Sequence, residues 1–313
     1  MKVKVEMNVV ILDPALENSN AGDEIISAAI AALDVEAFRN ARRITTHRFL
    51  GREERRAVSA ADVVILGGTN AVSSHMERFR QWPVDPDLAR RLRSKLLLLG
   101  VGWWQYQEQA CRYTRALLRG LSHPDLLHSV RDVYTQRQLA SIGIDSVMTG
   151  CPTVWRLHST PMATGRRDRA VVTVTDYYQN PEADRAWLSV VRDQYREVVC
   201  VGMGPGDQAY FGQLAVESIP FAGNGLEALS SALPDADHVG TRLHAGVHAL
   251  SLGSPSLVLA VDNRASEMRE SIGLAVVERE DHDAVAKFLA VGGQSELRLP
   301  HEQISTWLAQ FAG

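Results

Sequence analysis

The sequence predicts an α/β protein of two domains, each built on a mostly parallel sheet, and three observations carry that prediction. Its 313 residues exceed one ordinary core and suit two cores of about 150 residues each. Short β-branched or leucine-rich runs alternate with helix-period stretches, the signature of parallel strands covered by helices. One segment, residues 151–169, breaks that alternation with Pro152, Pro161, Gly165 and a basic run, which marks a linker.

In the first half, strands are expected at residues 5–12, 45–49, 63–66, 96–99, 129–130 and 147–148. Helical periodicity fills residues 23–33, 53–60, 86–94, 107–118 and 134–142. The rhythm restarts after the linker, with strands at 170–175, 197–201, 216–219, 238–239, 256–261 and 275–277. Helices are expected between them at 181–194, 223–233, 245–252, 266–272 and 283–291. The expected domains are therefore 1–157 and 158–313, with an amphipathic stretch at 300–313 packing back on the first.

Hydrophobic residues make up 45% and charged residues 22% of the chain, close to the globular average, so composition demands no disordered part. The net charge of -4, from 33 basic and 37 acidic residues, supplies no general field for nucleic acid or a membrane surface. An anionic ligand must then be met by a local cluster. Cys111, Cys151 and Cys200 form no C-x-x-C pair, so neither a disulfide framework nor a zinc knuckle is indicated and a reducing compartment fits. The first apolar run is interrupted by Lys4, Glu6 and Asn8, too short and polar for a signal peptide or a span. A cytoplasmic protein without nucleic-acid partners or stable membrane insertion is expected.

In sheets of this class, ligands bind beyond the carboxyl ends of the strands. Five junctions there carry candidate residues. Asn20, Gly22 and Asp23 follow the first strand, where a turn and a helix start also account for these residue types. Gly67 and Gly68 follow a buried strand and let a backbone approach a ligand closely, although no G-x-G-x-x-G spacing supports a nucleotide. Gly102 and Trp103 repeat that arrangement with an aromatic face suited to a sugar ring or to simple packing. Arg131 stands after a short strand beside Asp132, its ordinary ion-pair partner.

The fifth junction is the most informative. Arg242 and His244 fall between an apolar strand and an apolar helix, where a helix N-terminus favours anions. Arginine offers a planar fork for carboxylate or phosphate, and histidine exchanges a proton near neutral pH. His248 lies four residues beyond His244, a spacing open to metal ligation, but no third ligand accompanies the pair.

The segments "NSNAGDEII", "LGGTNAV", "LLLLGVG", "SVRDVYTQRQLASIGI", "TGCPTVW" and "GTRLHAGVHALSLGSPSLVLAVDNRASEMRESIGL", in that order, resemble the polysaccharide pyruvyl transferase family. The resemblance implies a GT-B-like fold, two Rossmann-like domains facing a cleft. It also implies phosphoenolpyruvate as donor and no separate cofactor, with a sugar, lipid-linked sugar or other hydroxylated acceptor that becomes a pyruvate ketal in polysaccharide biosynthesis. By position, His244 resembles the family's catalytic histidine, and Arg242 and Arg131 resemble the arginines that hold phosphoenolpyruvate. Asp23, with Asn20, is assigned to the acceptor side as base or orienting group.

One position departs from the family's T-G-D-P: Cys151 replaces the aspartate, and a thiol offers no charged carboxylate to an acceptor hydroxyl. A different acceptor, down to a small molecule, is consistent with that change. No obligatory metal is expected. Two other readings remain: a nucleotide-sugar glycosyltransferase on the same architecture, and a non-catalytic protein that binds an anionic metabolite through Arg131 and Arg242.

Overall fold

A computed structural model describes residues 7–157, 165–216 and 218–312. The chain divides into two compact units. Unit 1 comprises residues 1–18, 26–155 and 299–313, and unit 2 comprises residues 19–25 and 156–298. The linker expected at 151–169 straddles the passage at Trp155 and Arg156, with residues 158–164 and the start of the first expected strand outside the described residues.

Unit 1 runs β1 (Val9–Asp13), α1 (Ala21–Ala31), α2 (Glu36–Arg39), β2 (Arg42–Thr45), α3 (Arg52–Ala60), β3 (Val63–Gly67), α4 (Pro86–Leu92) and β4 (Leu96–Leu99). It continues through α5 (Arg112–Leu121), β5 (His128–Val130), α6 (Val133–Ser141) and β6 (Ser146–Met148) to a 3-10 turn, Pro152–Val154. The first four strands pair in parallel in the order β2-β1-β3-β4, and β5 pairs with β6. β1, β3 and β4 are buried at every residue, which is why they read as unbroken Val, Ile and Leu runs. Helix starts follow cap chemistry: Asp85 accepts from the Leu88 amide ahead of Pro86, and Asp132 accepts from Thr135.

The C-terminal helix α13 (His301–Ala309) also belongs to unit 1. Its Trp307 is fully buried among Phe38, Trp155 and Phe311, with ring centroids 5.0 to 6.3 Å away.

Unit 2 runs β7 (Arg169–Thr173), α7 (Pro181–Gln194), β8 (Glu197–Gly202), α8 (Asp207–Leu214), β9 (Phe221–Asn224) and α9 (Gly225–Ala232). Then follow β10 (Ala236–Gly240), α10 (Leu243–Ser251), β11 (Ser256–Ala260), α11 (Asn263–Ile272), β12 (Val276–Glu278) and α12 (His282–Ala290). All six strands are parallel in the order β12-β11-β10-β7-β8-β9. The chain reverses its direction of travel between β7 and β10, the topological switch point at which such sheets open a crevice.

Several boundaries differ from expectation. β2 occupies 42–45 rather than 45–49, because pairing with β1 sets Val10 opposite Arg42 while His47 turns away, its amide bonded to Thr45 Oγ1 and its ring to the Pro14 carbonyl. β9 begins at Phe221 instead of residue 216, an edge strand whose alternating burial weakens its apolar signal. α5 starts at Arg112 rather than 107, because Gln107 accepts from Trp103 Nε1 and from the Ser74 amide while Cys111 caps the helix. α2 and α8 were not expected at all.

Candidate active site

Arg242, Asp207, Asp176, Tyr177, Arg264 and Asp262 converge at the switch point of unit 2. Arg242, the N-cap of α10, is 6% exposed and reaches back to the loops after β7 and β8. Its Nε donates to Asp207 Oδ2 at 2.9 Å, and its Nη2 to Asp207 Oδ1 and to Asp176 Oδ1, the latter at 3.0 Å. The guanidinium lies over the Tyr177 ring, 4.9 Å from the centroid. Arg264 approaches the same ring at 5.3 Å and donates to the Tyr177 hydroxyl at 2.7 Å and to both oxygens of Asp262. One tyrosine thus serves two cations through its face and its oxygen. Burial disfavours the charge on Arg264, yet Tyr177 and Asp262 outweigh it and hold its pKa above the ordinary value.

The loop after β8 is built around Asp207. Its carboxylate accepts from the amides of Met203 and Gly204 at 2.8 and 3.0 Å and from the Asp176 amide at 3.0 Å. It is fully buried, and Arg242 neutralises it. A Cβ on Gly204 would stand 2.7 Å from Arg242 Nη2, and one on Gly206 would overlap the Asp176 carboxylate. Gly204 and Gly206 of "GMGPGD" therefore make room for the ion-pair network.

His244 occupies the first turn of α10 and is 9% exposed. It lines a small pocket together with Arg242, Arg264, Tyr177, Asn20 and Gly22. Asn20 bonds the Gly22 amide at 3.1 Å and Asp23 at 3.0 Å, while the Ala21 amide donates to the Met203 carbonyl. A Cβ on Gly22 would lie 3.5 Å from His244 Nδ1, so glycine lets this turn approach the imidazole closely. Within each arginine the bonds just described use Nε and Nη2, leaving the Nη1 edges outside the internal network.

The structure brings Asn20, Gly22, Arg242 and His244 together in unit 2, with Asp23 held against Asn20. Residues 19–25 count with that unit, whereas the sequence places residues 1–157 in one N-terminal domain. His248 Nε2 pairs with Ser230 Oγ at 2.9 Å, and burial lowers its pKa.

The remaining candidates lie in unit 1, where their side chains or missing side chains serve packing. Trp103 is fully buried in the core, its Nε1 bonded to Gln107, so its ring has no open face for a sugar. The space beside Gly67 is filled by Ile30, 2.5 Å from a Cβ built there, and that beside Gly68 by Ile26. Gly102 makes room for the Arg131 guanidinium and Asn70. Arg131 itself is 1% exposed, bonded to Asn70 through Nη2 and 3.5 Å from Asp132. Cys151 is fully buried ahead of the 3-10 turn.

Asp176, Tyr177, Asp207 and Arg264 were missed in the sequence. The glycine-rich stretch between β8 and α8 was the visible signal for Asp207, a strand-to-helix junction of the same kind as those singled out.

Two Rossmann-like units, with a basic pocket at a switch point, define an α/β protein of GT-B-like fold. The family model for polysaccharide pyruvyl transferase matches residues 20–263, and the chain belongs to that family. No curated protein matches its sequence. Among solved structures it is similar to the UDP-GlcNAc 2-epimerase of Methanocaldococcus jannaschii, with a TM-score of 0.55 and 11% identity over 98% of this chain and 100% of that one. A putative UDP-N-acetylglucosamine 2-epimerase from Listeria monocytogenes gives 0.56 and 13%, covering 97% and 95%. At that identity the likeness is one of fold. Among the described residues, no helix is long and apolar enough to cross a membrane.

Proposed function

We propose that the protein transfers the pyruvyl group of phosphoenolpyruvate to hydroxyls of a sugar-containing acceptor, forming a pyruvate ketal and releasing phosphate. The observation that carries this reading is the unit 2 pocket, where His244 and the guanidinium groups of Arg242 and Arg264 share one small space in a member of a pyruvyl transferase family.

The chemistry asks for these groups. Phosphoenolpyruvate carries a carboxylate and a phosphate, which the two Nη1 edges and the N-terminus of α10 complement. Asp176, Asp207 and Asp262 hold the arginines in place, so the forks are positioned before the donor arrives. His244 delivers a proton to the methylene carbon, which leaves an oxocarbenium-like centre at C2. An acceptor hydroxyl adds to C2 and returns its proton to His244. A second hydroxyl then replaces the phosphate at C2, and its proton leaves with that group. Asn20 and Asp23 orient the acceptor beside His244.

The test is phosphate release from phosphoenolpyruvate with a panel of sugars, nucleotide sugars and lipid-linked sugars, run on the wild-type chain and on His244→Asn. Release that needs one acceptor and falls about a hundredfold or more in the variant supports the reading, since that is the scale of a lost acid or base. Turnover of a nucleotide sugar without phosphoenolpyruvate would replace it with glycosyl transfer. Tight phosphoenolpyruvate binding with no turnover for any acceptor, unchanged in His244→Asn, would favour a binding protein instead.

A further inference from the structure

Away from that pocket, in unit 1, three side chains of different chemistry meet. His75 and Glu77 lie in the segment between β3 and α4, and Cys111 is the N-cap of α5. His75 Nδ1 is 3.1 Å from Glu77 Oε1, and Cys111 Sγ is 3.9 Å from Glu77 Oε2. One ligand atom from each of the three lies within 4.8 Å of the others. We propose that Cys111, His75 and Glu77 form a binding site for a zinc-type divalent transition-metal ion.

The geometry fits such an ion. Zinc bonds of about 2.3 Å to sulfur and about 2.0 Å to nitrogen or oxygen put neighbouring tetrahedral ligands roughly 3.3 to 3.8 Å apart. The cluster is therefore within a small side-chain adjustment of coordination. A thiolate and a carboxylate carry two negative charges, and with a neutral imidazole they balance a dication. The soft sulfur selects zinc, cobalt or copper over magnesium and calcium. His75 is 47% and Glu77 34% exposed at the side chain, so an ion enters from solvent and water completes its shell.

The scaffold holds the ligands before any ion arrives. The Cys111 amide donates to Ser74 Oγ at 3.0 Å and the Met76 amide to Thr114 Oγ1 at 3.1 Å, which ties the His75 segment to the first turn of α5 on both sides. His75 adopts φ 56, a left-handed conformation uncommon for a residue other than glycine.

The experiment is a titration of the full chain with Co(II), read by thiolate-to-metal charge-transfer absorption and by the visible bands of a four-coordinate ion, followed by displacement with Zn(II). Native-state alkylation supplies an independent reading, because Cys151 and Cys200 are buried and Cys111 is the accessible thiol. The expected result is one equivalent of cobalt with a sulfur band, displaced by zinc but not by excess magnesium, and alkylation slowed about tenfold or more by zinc. Cys111→Ser keeps a good helix cap, so it isolates the ligand and should abolish the sulfur band. His75→Ala and Glu77→Gln should each weaken zinc about a hundredfold, at least the cost of losing an outer-shell partner. Absence of the sulfur band in the wild-type chain, or its persistence in Cys111→Ser, overturns the proposal.

Discussion

Arg242 closes on Asp207 through two nitrogens, Nε at 2.9 Å from Oδ2 and Nη2 on Oδ1, with both residues buried. That fork joins the helix after β10 to the loop after β8 across the switch point. Every donor that Asp207 meets is directional, so the pair sets the loop's shape as well as the position of the cation.

Asp207→Ala should therefore be strongly destabilising. It leaves the Met203, Gly204 and Asp176 amides without this acceptor and Arg242 with Asp176 as its remaining carboxylate. Breaking a buried pair costs about 3–5 kcal/mol, to be read from the urea midpoint of unit 2. A loss under about 1 kcal/mol would mean that the loop holds itself without the carboxylate.

Gly204→Ala separates site geometry from stability. Its Cβ would meet the far end of the Arg242 side chain at 2.7 Å, so the guanidinium must shift while the backbone stays in place. A small change in melting temperature with a tenfold or greater loss of phosphoenolpyruvate affinity is expected, about 1.4 kcal/mol. Unchanged affinity would take Arg242 out of the binding surface.

Tyr177 should split into its two roles. Tyr177→Phe keeps the ring between the guanidinium groups and loses the hydrogen bond to Arg264, at a cost of about 1–2 kcal/mol. Tyr177→Ala removes both cation–π contacts as well, adding about 1 kcal/mol for each. A double-mutant cycle with Arg264→Met measures the coupling, and a value near zero would show that the ring merely fills space.

Acid sensitivity should trace to two buried histidines, one in each unit. Burial lowers His128 from 6.5 to about 4 and His238 from 6.5 to about 3. His238 pairs both ring nitrogens with hydroxyls, Nε2 with Thr173 and Nδ1 with Ser256, so that in the neutral ring one nitrogen donates and the other accepts. Each histidine binds its proton more tightly when unfolded, so the stability held above pH 6.5 is lost as pH falls towards the folded values, ~1.4 kcal/mol for each unit of separation. Urea midpoints followed across that window should drop, and His238→Gln should flatten the dependence for unit 2 even where it lowers stability throughout. A slope unaltered in that variant would assign the titration elsewhere.

Most elements were legible because their signals are local. The run Leu96 to Leu99 is a strand at its expected limits, and α7 spans Pro181–Gln194 as its Asn180 cap and leading proline indicate. β2 and β9 were misplaced because pairing partners, not residue preference, set their register. α2 has four residues, too few for a helical period to declare itself. α8 escaped because its first turn follows a glycine cluster that reads as loop.

The sequence by itself determined the α/β alternation, the family, and the placing of Arg242 and His244 at a strand-to-helix junction, since periodicity, turn chemistry and ordered motifs lie along the chain. Only the tertiary structure decided what those residues face. It put Asn20 and Gly22 with His244, neutralised Arg242 with Asp207 and Asp176, buried Trp103 in the core and packed Arg131 against Gly102 and Asn70. Burial and ion pairing depend on parts of the chain far apart in sequence, and strand order, which no local pattern encodes, is what brings them within bonding distance.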